Sequence, residues 1–196
     1  MVVPISLYRR PSHLRNWLRC YKPNDELYVP EYGPLLAAVL GRFFVQHADI
    51  VRQVTGGWEG ICVVPSSSKP PPHPFLEVLE CATEDQDVGL VRRDVLTRGD
   101  GVLGHRIMSD DAFSVVESVV DERILLVDDV YTTGARLHSA ASAIHLAGGY
   151  VVAGLVMGRR INPEFNDVSS AVWQRQSERS FQWNIPPELT RVNDGN

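Results

Sequence analysis

The chain has 196 residues, a formal net charge of −5, 44% hydrophobic residues and 22% charged residues. This length and composition suit one α/β domain with a small appendage. The negative charge argues against broad binding to nucleic acid, and the three cysteines, without a Cys-x-x-Cys pair, offer no zinc-binding spacing.

The sequence predicts no membrane span. Segment 147–158 is uncharged and mostly apolar, but its twelve residues are fewer than the ~18 that a span requires. An apolar segment of signal-peptide length is also missing near the N-terminus. We therefore expect a cytoplasmic protein that does not contact a membrane.

The first half of the chain alternates predicted helices and strands. Apolar residues recur every three or four positions over 13–20, 36–44 and 75–82, which predicts three helices. The apolar run 60–65 predicts a buried strand between the second and third helices. A short strand is expected over 88–91.

The second half continues this alternation after a polar, Gly-rich segment, 92–112, which predicts a long loop. Strands are expected over 113–120, 124–127 and 150–157, with a helix over 137–144. Beyond Arg160 no clear pattern is present. The alternation as a whole predicts an α/β fold with a central, mostly parallel sheet and helices on both faces.

The most informative segment is 124–136, in which four apolar residues end in two acids and a small, hydroxyl-rich turn. Because a parallel strand buried on both faces reads as a continuous apolar run, Asp128 and Asp129 fall at the carboxyl edge of the sheet, where open α/β sheets bind ligands. In the turn, small side chains leave the backbone N–H groups accessible, and Gly134 permits the close approach of an anion. A sugar phosphate has hydroxyls at one end and an anion at the other. Two carboxylates beside an anion site therefore suit such a ligand.

Other interpretations of this segment exist. The acids could belong to an ordinary strand-end turn with a helix cap. The strand also resembles the first strand of response-regulator receiver domains, but it begins too late in the chain for the remaining βα repeats, and Thr-Thr-Gly is the wrong turn. The sugar-phosphate interpretation requires that both carboxyls be free of internal ion pairs and that the bend keep unpaired amides.

Segment 124–136 resembles the diphosphoribosyl-binding signature of type I phosphoribosyltransferases. The resemblance implies that Asp128 and Asp129 bind the ribose hydroxyls of phosphoribosyl pyrophosphate (PRPP). It also implies that Mg²⁺ bridges these hydroxyls and the pyrophosphate, so that the two acids act on the metal only indirectly. The binding residues that it implies are Val130, Tyr131, Thr132, Thr133, Gly134, Ala135 and Arg136. A hydroxyl residue is more usual in the family where Arg136 stands, and this arginine could pair with the anion or face solvent.

Two further segments complete the predicted site. A second anion-ready turn follows the 60–65 strand, at the place of the family's pyrophosphate loop, although it could equally be a polar connector. Its residues are Ser66, Ser67, Ser68 and Lys69. We expect loop 92–112 to close over the reacting sugar, with Arg98 or Arg106 as catalytic candidates that reach the departing pyrophosphate.

Segment 90–116 is similar to the ComF-like branch of the family, because it carries paired Arg residues, Thr97-Arg98, His105-Arg106 and 111–115 in the same order. The branch's N-terminal zinc module is missing. Its Arg-Gly-Phe-Asn motif is replaced by residues 73–75.

The resemblance implies a function and a division of the chain. The function is transfer of the 5-phosphoribosyl group from Mg·PRPP to a nitrogen acceptor that the sequence does not identify, with release of pyrophosphate. The alternatives are a non-catalytic PRPP or nucleotide sensor and a competence-related role. Residues 34–160 would form the core domain. Residues 1–33 and 161–196 would be extensions that supply a small hood, and a homodimer is possible.

Overall fold

The computed structural model describes residues 1–23, 25–66, 73–84, 91–104, 106–179 and 182–184. Within these ranges the chain forms six strands and five α-helices, together with one short 3₁₀ turn. In chain order they are β1 (Val2–Tyr8), α1 (His13–Cys20), α2 (Tyr32–Thr55), β2 (Gly60–Val63), α3 (Pro74–Thr83), β3 (Leu96–Arg98), β4 (Phe113–Val115), β5 (Arg123–Tyr131), α4 (Ala135–Leu146), β6 (Tyr150–Arg160) and α5 (Asp167–Glu178).

A four-stranded parallel sheet forms the centre of the fold. Its strand order is β1-β6-β5-β2, and every neighbouring pair is parallel. Beyond β2, the Ile61 amide donates to the carbonyl of Val91 at 2.8 Å, which extends the pairing by one short segment. Strands β3 and β4 form a separate antiparallel pair. The predicted α/β class with a mostly parallel sheet is confirmed.

Helices cover both faces of the sheet, as predicted. On β5, Leu125 and Val127 pack into the cluster that contains the buried residues of α2 and α3. Their neighbours Ile124 and Leu126 pack into the cluster that contains those of α4. The alternation of side chains along a strand therefore explains why 124–127 is apolar throughout.

Helix α2 is the longest element, and its buried positions include Leu36, Leu40 and Phe44. It ends at Gly56, whose φ of +80° allows the Gly57 amide to donate to the carbonyl of Arg52 at 2.8 Å. By length and composition alone α2 could cross a membrane, and half of its apolar window is buried inside the fold.

Several elements differ from the sequence-based expectation. No strand was predicted where β1 lies. This strand contains Pro4 and shows no regular alternation of buried and exposed residues, which explains why it is hard to recognise in the sequence. Strand β3 lies inside the predicted loop 92–112 and is only three residues long. Helix α5 buries none of its residues and so lacks an apolar stripe. Of the strand predicted over 88–91, only Val91 lies within the described residues. The division of the chain into three parts stays a prediction, although β1 belongs to the central sheet.

Candidate functional site

The turn between β5 and α4 is built around one glycine. Gly134 has a φ of +84°, a conformation that other residues adopt only with strain. A Cβ atom at this position would lie 2.5 Å from Oη of Tyr131 and 2.8 Å from Cδ2 of His138. The backbone conformation and the packing therefore both require glycine, and they bring the first turn of α4 against the end of the strand.

A cleft of about 290 Å³ opens at this carboxyl edge of the sheet. It is lined by Lys22 and by the continuous segment 128–137. The structure thus brings the two predicted acids and the predicted phosphate bend to one cavity. Lys22 comes from the segment after α1 and was not predicted to take part.

The phosphate bend keeps its amides unpaired. In the ranges that the structure describes, the backbone N–H groups of Thr132, Thr133, Gly134 and Ala135 donate to no main-chain carbonyl, whereas the amide of His138 donates to Gly134 at 2.9 Å. These four N–H groups lie at the N-terminus of a twelve-residue helix, where the helix dipole favours an anion. One of the two conditions for a sugar-phosphate site is therefore met.

The acid pair does not meet the other condition. Asp128 and Asp129 are each only 3% exposed. Arg136 binds Asp128 through both nitrogens of its guanidinium edge, Nε at 2.9 Å from Oδ2 and Nη2 in contact with Oδ1, and Nη2 also lies 2.6 Å from Oδ1 of Asp129. Both carboxylates therefore belong to an internal ion-pair cluster, which contradicts the expectation that they are free.

Two residues from the N-terminal segment complete this cluster. Lys22 Nζ lies 2.6 Å from Oδ2 of Asp129, and the hydroxyl of Tyr21 donates to the same oxygen at 3.0 Å. We use the name "acid cluster" for Tyr21, Lys22, Asp128, Asp129 and Arg136. The guanidinium of Arg136 binds the two acids, a contact that was not predicted, and its place among the ligand-binding residues stays a prediction.

The pKa values of the two acids in the acid cluster shift in opposite directions. Burial raises the pKa of Asp128 from 3.8 to about 7 because it disfavours the charged form, and this exceeds the opposing effect of Arg136. Burial also acts to raise the pKa of Asp129, but the charges of Arg136 and Lys22 outweigh it and hold that pKa below its ordinary value. Asp128 therefore takes up a proton at a higher pH than Asp129 does.

The remaining predicted catalytic residues do not line the cleft. The guanidinium of Arg98 donates to the carbonyl of Gly101 at 2.7 Å and to that of Ala112, so it stabilises the turn between β3 and β4. The guanidinium of Arg106 lies over the ring of Phe165, 5.0 Å from its centroid. In this conformation neither side chain is directed to a pyrophosphate at the cleft, and their catalytic role stays a prediction.

Only one residue of the predicted pyrophosphate loop lies within the described part of the chain. The amide of Ser66 donates to Nδ1 of His73 at 3.3 Å, while Ser67, Ser68 and Lys69 lie outside the described residues. Burial lowers the pKa of His73, and the positive charge of Arg136 lowers it further, which places this histidine within electrostatic reach of the acid cluster. The contribution of the loop to ligand binding stays a prediction.

The fold and the cleft define an α/β protein with a satisfied acid cluster and an open helix N-terminus at the carboxyl edge of a parallel sheet. Among solved structures, the chain is similar to adenine phosphoribosyltransferase from Leishmania tarentolae, with 14% identity and a TM-score of 0.41 over 81% of this chain and 93% of that one. It is also similar to UMP synthase from Leishmania donovani, with 15% identity and a TM-score of 0.40 over 86% of this chain and 34% of that one. No protein-family model matches the sequence, and no curated protein matches it.

The likeness to these two structures is limited to the fold. Their identities with this chain are low, and the chain spans only about a third of the UMP synthase chain. No residue role is transferred from either of them, and the ComF-like branch stays a prediction.

Proposed function

We propose that the chain binds a phosphorylated compound, with its phosphate on the amides of Thr132, Thr133, Gly134 and Ala135. PRPP or a nucleotide are the candidates that the sequence of 124–136 indicates. The supporting observation is the set of unpaired N–H groups at the N-terminus of α4, open to a cleft of about 290 Å³. Several convergent N–H groups and a helix dipole suit a phosphate group. Thr132 is an exposed residue beside them, and its hydroxyl is a further donor for the phosphate.

The geometry favours binding without transfer over a phosphoribosyltransferase. In a transferase, Asp128 and Asp129 would hold the ribose hydroxyls, but both acids are buried and bound by Arg136 and Lys22. Displacing these two cations would leave buried carboxylates without their partners, which is costly unless the ligand replaces every contact. The first candidate function is therefore a non-catalytic sensor of PRPP or a nucleotide. Phosphoribosyl transfer is the second candidate, supported by the sequence of 124–136.

The acid cluster does not fit Mg²⁺ as described. A magnesium ion needs oxygen ligands in near-octahedral geometry, commonly one or two carboxylates with water. Here the carboxylates already accept from Arg136 and Lys22. Within the described ranges, no group of three or more His, Cys, Asp or Glu side chains could hold a metal ion. We therefore expect phosphate binding that does not depend on a divalent cation.

The first experiment titrates the protein with ribose 5-phosphate by calorimetry, once with Mg²⁺ and once with EDTA. We expect equal affinity in both buffers, displacement by inorganic phosphate and no displacement by ribose. Gly134→Ala should weaken binding at least about tenfold, because its Cβ collides with Tyr131 and distorts the bend. The matched control is Gly33→Ala, since a Cβ at Gly33 meets nothing within 4 Å.

Three outcomes of this experiment separate the candidates. Undetectable binding of ribose 5-phosphate to the folded wild-type protein would refute the proposal, whatever Gly134→Ala does. Binding that requires Mg²⁺ would favour the transferase. Incubation with PRPP, Mg²⁺ and a panel of nucleobases then tests transfer directly, because sustained release of pyrophosphate would make the protein an enzyme, and binding without release would make it a sensor.

A further inference from the structure

Five arginines gather where β1 and β6 end, at the same edge of the sheet as the cleft. They are Arg9, Arg10, Arg15, Arg159 and Arg160, and we call them the arginine cluster. The parallel pairing sets Tyr8 opposite Arg160 and Leu7 opposite Arg159, so the ends of the two strands lie side by side. Arg15 comes from α1, which follows β1 directly.

The charges of the arginine cluster are not compensated within the described part of the chain. None of its five guanidinium groups has a hydrogen bond or an ion pair there. Arg9 lies over the ring of Trp173 at 5.3 Å, and Arg159 lies over that of Tyr131 at 5.6 Å. Six other described arginines bind acids or carbonyls: Arg52, Arg92, Arg93, Arg98, Arg123 and Arg136. The five guanidinium groups therefore place unpaired positive charge at this edge of a chain whose net charge is −5.

Tyr8 shows that the arginine cluster borders the cleft. Burial and the charge of Asp129 raise the pKa of the Tyr8 hydroxyl, while Arg160, Arg10 and Arg15 act to lower it. These three guanidinium groups and an acid of the cleft are thus within electrostatic reach of one hydroxyl. On the other side, Arg159 contacts Tyr131, which itself lines the cleft.

We propose that the arginine cluster binds a second anionic group of the ligand whose phosphate lies on the bend at 132–135. The ligand is then a phosphorylated compound that also carries a carboxylate or a second phosphate group. Guanidinium groups bind both groups through paired N–H donors, and arginines stacked on aromatic rings are already held in place. This inference rests on the proposed phosphate site and adds to it the chemical class of the ligand.

The test compares four ligands by calorimetry. Ribose 5-phosphate and nicotinamide mononucleotide carry only the phosphate and a neutral second group. Nicotinate mononucleotide replaces the carboxamide by a carboxylate of the same shape, and PRPP carries a diphosphate instead. We expect at least one of the last two ligands to bind about tenfold or more tightly than the first two. The ligand that shows this gain in affinity identifies the second anionic group.

Variants assign this gain to the cluster. Arg160→Gln and, separately, Arg15→Gln should remove the gain and leave the affinity for ribose 5-phosphate within about twofold of wild type. Arg92→Gln is the matched control, because it removes the same charge from an exposed arginine that is already paired with Glu80 and Asp94. Denaturant unfolding of each variant verifies that it is folded.

The outcomes distinguish the two proposals. Equal affinity of the wild-type protein for all four ligands would overturn the inference and leave the phosphate site standing. The same conclusion follows if both cluster variants keep the gain, or if they weaken ribose 5-phosphate as much as the larger ligands. If ribose 5-phosphate does not bind to the wild-type protein, the proposed function fails and the inference fails with it.

Discussion

The acid cluster and the phosphate bend, the two halves of one cleft, differ in how their polar groups are satisfied. In the acid cluster, two buried carboxylates are held by Arg136, Lys22 and the hydroxyl of Tyr21. In the bend, four backbone N–H groups have no main-chain acceptor among the residues that the structure describes. A buried charge needs its partners within the folded chain, whereas amides that open to a cleft do not. A ligand can therefore use the bend at no cost to the fold, but it can use the acids only by replacing their partners.

The largest expected effect comes from removing the arginine of the acid cluster. Arg136→Met leaves Asp128 and Asp129, both 3% exposed, without their shared partner. Breaking a buried pair on one side costs about 3–5 kcal/mol, and we expect a loss of this size in the free energy of unfolding measured with urea at pH 7.5. The matched control is Arg92→Met, which removes an arginine that is 41% exposed from exposed pairs and should cost at most about 1 kcal/mol.

A small loss of unfolding free energy in Arg136→Met would contradict the view that the acid cluster depends on its internal partners. If the variant lost no more stability than Arg92→Met, the two acids would not depend on Arg136. A ligand could then bind them without destabilising the fold. The transferase would then become the better proposal.

A second effect, smaller for each pH unit, is expected in the pH dependence of stability. Because the pKa of Asp128 is raised from 3.8 to about 7, the folded chain holds a proton between these values that the unfolded chain has released. The free energy of unfolding contributed by this group should therefore fall as the pH rises from about 4 to about 7, by at most about 1.4 kcal/mol for each pH unit, and then level off. The depressed pKa of Asp129 acts with the opposite sign, but only below about pH 4.

Urea unfolding at several pH values between 4 and 8 measures this contribution. Asp128→Asn should remove the corresponding slope, and Asp100→Asn, which changes an exposed acid, should leave it unchanged. If the slopes of wild type and Asp128→Asn were the same, Asp128 would not be the member of the cluster that takes up the proton.

The sequence predicts the local features of the site better than the contacts between distant segments. The apolar run 124–127, the two acids and Gly134 together indicate a strand, its edge and the start of α4, because each rests on neighbouring residues. Lys22 and Tyr21 lie more than a hundred positions before Asp129, and their contact with it depends on how α1 packs. No periodicity or spacing could reveal that contact.

Arg136 is an intermediate case. Arg136 differs from the residue that is usual at this position of the phosphoribosyltransferase signature. Its position seven residues after Asp129 was visible in the sequence. In α4 it follows Ala135, the first helical residue, so its side chain can reach back over the end of β5. Two buried carboxylates with a cation within reach were a signal that internal pairing competes with ligand binding. The short strand β3 and the exposed helix α5 were missed for a simpler reason, because neither has a periodic apolar stripe to detect.

The smallest expected effect concerns the hydroxyl of Tyr21, which donates to Oδ2 of Asp129 at 3.0 Å. This oxygen also binds Lys22, so Tyr21→Phe removes one of two donors and leaves the charge balance intact. We expect the free energy of unfolding to fall by about 1–2 kcal/mol, measured with urea at pH 7.5, because a bond to a charged group contributes more than a neutral one. Tyr28→Phe, at a tyrosine that is 41% exposed, should change it by less than about 0.5 kcal/mol. If Tyr21→Phe were neutral, Lys22 and Arg136 would satisfy Asp129 without it, and the N-terminal segment would contribute to the acid cluster through Lys22 alone.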